Sequence, residues 1–211
     1  MRGGGREIVA PAFSERSLNQ YLAFGLLWLA WAISWGIAAF WADRAENRPP
    51  WRDEILYRVL LVASALLIFW PAGRARFGLL WFTPPPLGWT LLVVAVFGIA
   101  FAWWARVSLG RLWSGNVTRK ADHHVVDTGP YSLVRHPIYT GLLLALYATA
   151  IDHGTVMALV GAVVATLSIV IKARLEERFL SAELGQETYA AYRDRVPMLV
   201  PFWPVHRGAR A

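Results

Sequence analysis

The sequence predicts an all-α integral membrane protein with about five transmembrane helices, a C-terminal helical hairpin and a cytosolic helical tail. Three observations predict it. The chain is 56% hydrophobic over 211 residues and holds 12 Trp, above the 45–50% apolar share of an ordinary soluble domain. The excess is gathered into uncharged runs long enough to approach or cross a bilayer. Arginines flank those runs and give a formal net charge of +7, which in this setting points to anionic lipid headgroups rather than nucleic acid.

The elements follow in order. Residues 1–20 are a polar lead with Gly3, Gly4 and Gly5 and with Arg2, Arg6 and Arg16. This lead is too long and too polar for a cleaved signal sequence. Tyr21 to Ala42 carries no charge and is long enough for a core of ~30 Å at ~1.5 Å per residue. After a charged loop with Pro49-Pro50, a second span runs from Ile55 to Gly73, with Arg58 close enough to its end to snorkel. Pro84-Pro85-Pro86 closes the next loop by blocking helix. A third span runs from Leu87 to Ala105 and ends in Trp103-Trp104, an aromatic belt signature.

Residues 106–135 form the one long polar stretch between spans. Pro137 to Ile151 is apolar but only about fifteen residues, roughly 22 Å as a helix. Asp152-His153-Gly154 makes a turn, and Thr155 to Ile171 returns, completing a tight hairpin. Beyond Lys172 a charged helix carries Glu176 and Glu177 and stops at Gly185. A short helix from Glu187 to Arg195 follows, and Pro197, Pro201 and Pro204 end regular structure. The chain thus divides into a lead (1–20), three spans (21–105), and a unit of loop, hairpin and tail (106–211). Loop and tail are rich in Arg and Lys and lie on one face, which the positive-inside bias makes cytoplasmic.

Chemistry concentrates where loop and tail meet the mouth of the hairpin. Gly129 and Pro130 favour a fixed turn, and Pro137 suits the first turn of a helix, where its missing N–H costs nothing. Around this corner stand His123, His124, Tyr131, Arg135, His136, Tyr139, Lys172, Arg174, Glu176 and Glu177. Carboxylates pair with an ammonium, cations and backbone donors hold a carboxylate, and rings flank an aromatic base or a cationic centre. The mixture suits a zwitterionic cofactor beside lipid. Taken singly, Arg135 and Tyr139 read as interfacial anchors, Glu176-Glu177 as a solvated helix face, and Tyr189 and Tyr192 as packing. Adjacent histidines without a third ligand at sensible spacing do not make a metal site. The absence of Cys excludes thiolate chemistry and disulfides.

The order of the pieces adds to their content. Leu109-Gly110-Arg111-Leu112-Trp113-Ser114 is followed by Val125 to Tyr131, then by RHPxYxG at Arg135–Gly141, EExxL at Glu176–Leu180, and a tail with Gly185, Tyr189, Tyr192 and Val196-Pro197. Over roughly residues 105–203 this series resembles the isoprenylcysteine carboxyl methyltransferase family, relatives of the phospholipid N-methyltransferases. The resemblance implies an integral-membrane enzyme that uses S-adenosyl-L-methionine and takes a lipophilic, prenylated or lipid-like, acceptor from the bilayer. By motif, Asn116, His123, His124, Val125, Val126, Tyr131, His136, Pro137, Ile138, Tyr139 and Glu176 match cofactor-lining positions. Arg135, Lys172, Arg174 and Glu177 are the candidates toward the acceptor, with Lys172 standing where the eukaryotic prenylcysteine enzymes have Arg. No residue is singled out as a general base. The other readings are a phospholipid amine N-methyltransferase, and a reductase-like or non-catalytic relative on the same framework.

Overall fold

A computed structural model describes residues 15–40, 51–70, 79–110 and 126–205 of the chain. Its helices are α1 (Glu15–Ala39), α2 (Trp51–Phe69), α3 (Pro85–Leu109), α4 (Pro137–His153), α5 (Val156–Leu184) and α6 (Gln186–Arg193), with a 3-10 turn at Gly129–Ser132 before α4. The helix ends obey local chemistry. Pro85 and Pro86 occupy the first turn of α3 behind an extended Pro84, so the triple proline starts a helix instead of only barring one. Gly154 ends α4 in the left-handed region (φ 62°), returning its N–H to the Ala150 carbonyl. That conformation suits glycine. Thr155 is the cap of α5 rather than its first residue: its hydroxyl accepts from the Ala158 N–H at 3.2 Å, satisfying one free donor of the new helix.

The five long helices run alternately up and down. At one end the Gln20 amide donates to the Pro85 carbonyl (2.6 Å), and at the other Arg106 donates to the Ala38 carbonyl (2.9 Å), so α1 and α3 lie parallel. The Trp28 indole reaches Thr149 across to α4 at 3.0 Å. Helix α2 runs against α5, with the Ser168 hydroxyl on the Tyr57 carbonyl (2.7 Å) and His153 on the Ile68 carbonyl (3.0 Å). One end of the bundle therefore gathers the end of α1, the start of α2, the end of α3, the start of α4 and the end of α5.

The packing inverts the order of a soluble core. Ala95, Ala102, Ala105, Ala145, Ala150, Ala158, Ala162 and Ala165 are completely buried, while Leu22, Leu26, Leu29, Ile33 and Ile37 form an exposed stripe along α1. In water such a stripe is costly; in lipid, small residues inside let helices approach and large apolar residues face the tails. Three helical segments are long and apolar enough to cross a membrane: Leu18–Ala39, Pro85–Leu109 and Val156–Ala182. Helix α2 carries Arg52, Asp53, Glu54 and Arg58 among its 19 residues, and α4 has only 17.

Helices α3 and α4 cross in close contact at Gly98 and Gly141. A Cβ on Gly98 would lie 2.5 Å from the Gly141 carbonyl oxygen, so no side chain fits without moving backbone. Gly98→Leu is expected to cost about 3 kcal/mol or more and to lower the midpoint of thermal unfolding in detergent, whereas Gly36→Leu, on the open face of α1 where a Cβ meets nothing within 4 Å, changes it little.

Candidate active site

The gathered end of the bundle is polar because α5 brings two adjacent carboxylates there. Before α4 the chain turns at Gly129–Ser132 and buries Tyr131 and Val134. The Tyr131 carbonyl accepts from the Tyr192 hydroxyl of α6 at 2.7 Å. The backbone then meets the tail. The Arg135 N–H donates to the Pro197 carbonyl (2.8 Å) and the His136 N–H to the Met198 carbonyl (3.1 Å). The Thr140 hydroxyl donates to the Leu199 carbonyl at 2.7 Å. Three contacts in register pin residues 197–199 over the start of α4, whose first position is filled by the fully buried Pro137.

Side chains complete the corner. Arg135 donates through Nε to Glu177 at 2.7 Å and through Nη1 to the Val196 (2.5 Å) and Arg193 (3.1 Å) carbonyls. His136 has Glu177 3.1 Å from Nε2 and Glu176 3.5 Å from Nδ1. Its ring stacks on Tyr139 at 5.5 Å with an interplanar angle of 11°. The Tyr139 hydroxyl donates to Glu176 at 2.6 Å. Lys172 lies 3.8 Å from the same carboxylate, with its ammonium 5.5 Å from the Tyr57 ring and 5.4 Å from the Tyr139 ring. Beside Arg135, on the tail side, Arg193, Asp194, Pro197, Met198 and Trp203 line a pocket of about 390 Å³.

Electrostatics follow from this geometry. Burial works against a charged His136, but the hydrogen bonds and charges of Glu176 and Glu177 outweigh it and raise its pKa above the ordinary 6.5. An imidazole with a carboxylate at each nitrogen donates from both, which is the imidazolium form. Burial first, then the Glu176 charge, pushes the Tyr131 phenol well up. Burial likewise raises Tyr189 and Tyr192, so all three stay neutral donors.

The residues expected from sequence fall into three groups. Tyr131, Arg135, His136, Pro137, Ile138, Tyr139, Lys172, Glu176 and Glu177 converge at this corner, and Val126 packs beside Tyr131 and Ile138. Arg174 is exposed, two residues from Lys172 on another face of α5. Asn116, His123, His124 and Val125 lie outside the described residues. Three contributors escaped the sequence reading: Tyr57 from α2, the carbonyls of Pro197 to Leu199, and the Tyr192 hydroxyl. Tyr57 carries a signal only in hindsight, as a phenol next to Arg58 in an apolar run. Tail carbonyls carry none.

The family model described as "Isoprenylcysteine carboxyl methyltransferase (ICMT) family" matches residues 90–182. The methanethiol S-methyltransferase of Mycobacterium tuberculosis is 32% identical over 75% of this chain and 67% of its own length. The chain belongs to the isoprenylcysteine carboxyl methyltransferase family. The cobalt-zinc-cadmium resistance protein CzcN of Cupriavidus metallidurans is 29% identical over 71% of this chain and 63% of that protein. The solved structure of the eukaryotic intramembrane Ras methyltransferase ICMT shares the fold, with a TM-score of 0.53 at 23% identity over 69% of this chain and 52% of that one. The chain thus spans about half to two thirds of the length of these relatives. The family match stops at residue 182, yet the corner depends on residues 189–199 beyond it.

Two outcomes are expected. Arg135→Ala leaves Glu177 short of its buried partner and strips two side-chain contacts from the tail, a loss of about 3 kcal/mol visible as a lower unfolding midpoint. The raised His136 pKa contributes stability that is full below its ordinary value of 6.5 and is lost as pH rises through the higher folded value. The unfolding midpoint of the unsubstituted chain should therefore fall on going alkaline from pH 6.5, and His136→Asn should remove that part of the slope.

Proposed function

We propose that this chain is an integral-membrane methyltransferase that uses S-adenosyl-L-methionine and acts on a lipophilic acceptor at the corner where α4 begins and α5 ends. The observation that carries the reading is the 2.6 Å hydrogen bond from Tyr139 to Glu176, which joins the RHPxYxG and EExxL segments, 37 residues apart in sequence, into one polar corner roofed by the tail. The groups present fit the cofactor. Glu176 is a carboxylate mostly withdrawn from solvent, suited to an ammonium or sulfonium. Tyr131, His136 and Tyr139 offer rings and donors, Val126 packs beside Tyr131, and Asn116, His123, His124 and Val125 are proposed as further cofactor contacts from their match to the family motif. When bound, the cofactor supplies a methyl group that is already electrophilic. The protein's share is then position, exclusion of water and charge balance. Tyr139 and His136 hold Glu176 in place, Pro137 and Ile138 wall the corner, and Arg135 with Glu177 holds the tail closed.

All five long helices cross the bilayer in this reading, α4 with local thinning to match its roughly 26 Å. The lead 1–20 precedes three spans in 21–105, and the unit 106–211 carries the site on the cytoplasmic face. The acceptor approaches from lipid toward Lys172. A prenylcysteine-like carboxylate would already be a nucleophile and would need a cation to hold it. Arg135 is committed to Glu177, and Lys172 stands beside Glu176 under two rings. That engagement, with a relative named methanethiol S-methyltransferase, favours a second reading in which the acceptor is an apolar thiol, which must shed a proton on methylation.

Calorimetric titration of the detergent-solubilised chain with S-adenosylhomocysteine, and separately with NADPH, tests the proposal. Binding of the first alone is expected, with His136→Ala and Glu176→Ala each weakening it about tenfold or more, the scale of a charge-assisted hydrogen bond. Unchanged affinity in both variants, or binding of NADPH alone, overturns it.

A further inference from the structure

We infer that Tyr57, Tyr139 and Glu176 form a cage for the positive charge of the methyl donor, and that the ammonium of Lys172 stands in for that charge in this structure. The inference rests on the function proposed above and adds a residue from α2 to the site.

The geometry is that of a cation box. Two phenol rings lie 5.5 Å and 5.4 Å from one ammonium, within the ~6 Å reach of a cation–π contact, and a carboxylate oxygen lies 3.8 Å away. The box is built, not incidental. Tyr57 is 3% exposed, and its backbone carbonyl is held by Ser168 of α5 at 2.7 Å. Tyr139 is fixed by its bond to Glu176 and its stack on His136. Three helices, α2, α4 and α5, each supply one wall. A lysine on a helix bordering lipid ordinarily extends its flexible stem to bring its ammonium to water. Here the side chain retains only 17% exposure, so the walls hold it inward.

Such walls suit a weakly hydrated cation better than an ammonium. A sulfonium loses little hydration on entering and gains the negative ring faces and the carboxylate. Methyl transfer breaks the donor's S–CH3 bond and leaves the electron pair on sulfur, while the acceptor's lone pair makes the new bond to carbon. The donor sulfur thereby becomes a neutral thioether, for which ring quadrupoles and Glu176 have no charge to hold. The cage then favours donor over product, and the Lys172 ammonium is at hand to neutralise Glu176 when the donor's charge is gone.

The test is a ratio of affinities, read by calorimetry on the full chain in detergent with S-adenosylmethionine and S-adenosylhomocysteine. Tyr57→Leu is expected to lower the preference for the sulfonium about tenfold, within the range of a desolvated cation–π contact, while Tyr57→Phe, which keeps the ring face, retains it. Lys172→Met removes the competing ammonium and is expected to raise the preference. If Tyr57→Leu does not fold, Lys172→Met alone decides. Binding of both ligands with a ratio unmoved by these variants overturns the cage and leaves the proposed function standing. Failure of the unsubstituted chain to bind either ligand overturns both.

Discussion

Two carboxylates side by side on one helix at the edge of lipid set the problem that the rest of this structure answers. A charge withdrawn from water is tolerated only with partners at hydrogen-bond distance. Glu177 receives Arg135 at 2.7 Å and His136 at 3.1 Å; Glu176 receives Tyr139 at 2.6 Å and Lys172 at 3.8 Å. Arg135, His136 and Tyr139 come from the five-residue stretch that ends the polar loop and opens α4, so the hairpin has to return α5 past its own starting point. The turn at Gly154 and the cap at Thr155 provide that return.

The tail enters for the same reason. Arg135 presents more donors than one carboxylate can use, and the Val196 and Arg193 carbonyls take the surplus. Bringing those carbonyls within reach draws the Pro197–Leu199 segment over α4, where it accepts from Arg135, His136 and Thr140. Prolines that prevent helix in this segment leave its carbonyls available. Polar satisfaction, rather than apolar packing, closes this end of the bundle, while small residues and the Gly98–Gly141 crossing close its middle.

The helices were legible because apolar runs and prolines act locally. The start of α4 at Pro137 and the end of α5 at Gly185 were readable from residue type alone. The convergence of Arg135, His136, Tyr139, Glu176 and Lys172 was legible through motif order and through the hairpin, which puts both motifs on one face. The share of α2 was not. Nothing local in Ile55–Gly73 says which face of the helix meets α5, since an alternation of apolar and polar faces is absent when both lipid and protein neighbours are apolar. Tyr57 and Glu54 are buried with Ser64 and Ile68, a pattern set by tertiary contact. The boundary shifts at Pro85 and Thr155 have a simpler origin: proline and threonine each serve at helix starts, one inside the first turn and one just before it.

Adjacent residues on a helix point about 100° apart, so Glu176 and Glu177 face mostly different neighbours and share only His136 between them. Glu177 looks toward Arg135 and the tail, and its partners are structural. Glu176 looks toward Tyr139, Lys172 and the α2 side, where a phenol and a flexible ammonium are its company. His136 touches both, with one nitrogen toward each carboxylate. Under the proposed function the pair separates two tasks that a single carboxylate would confuse: one charge fixes the roof, and the other, held by groups that can change partner, is left to meet a cation from outside the chain. In the proposed site that division accounts for the need for two acidic residues, and gives the ligand-facing role to the one whose partners include a side chain long enough to move away.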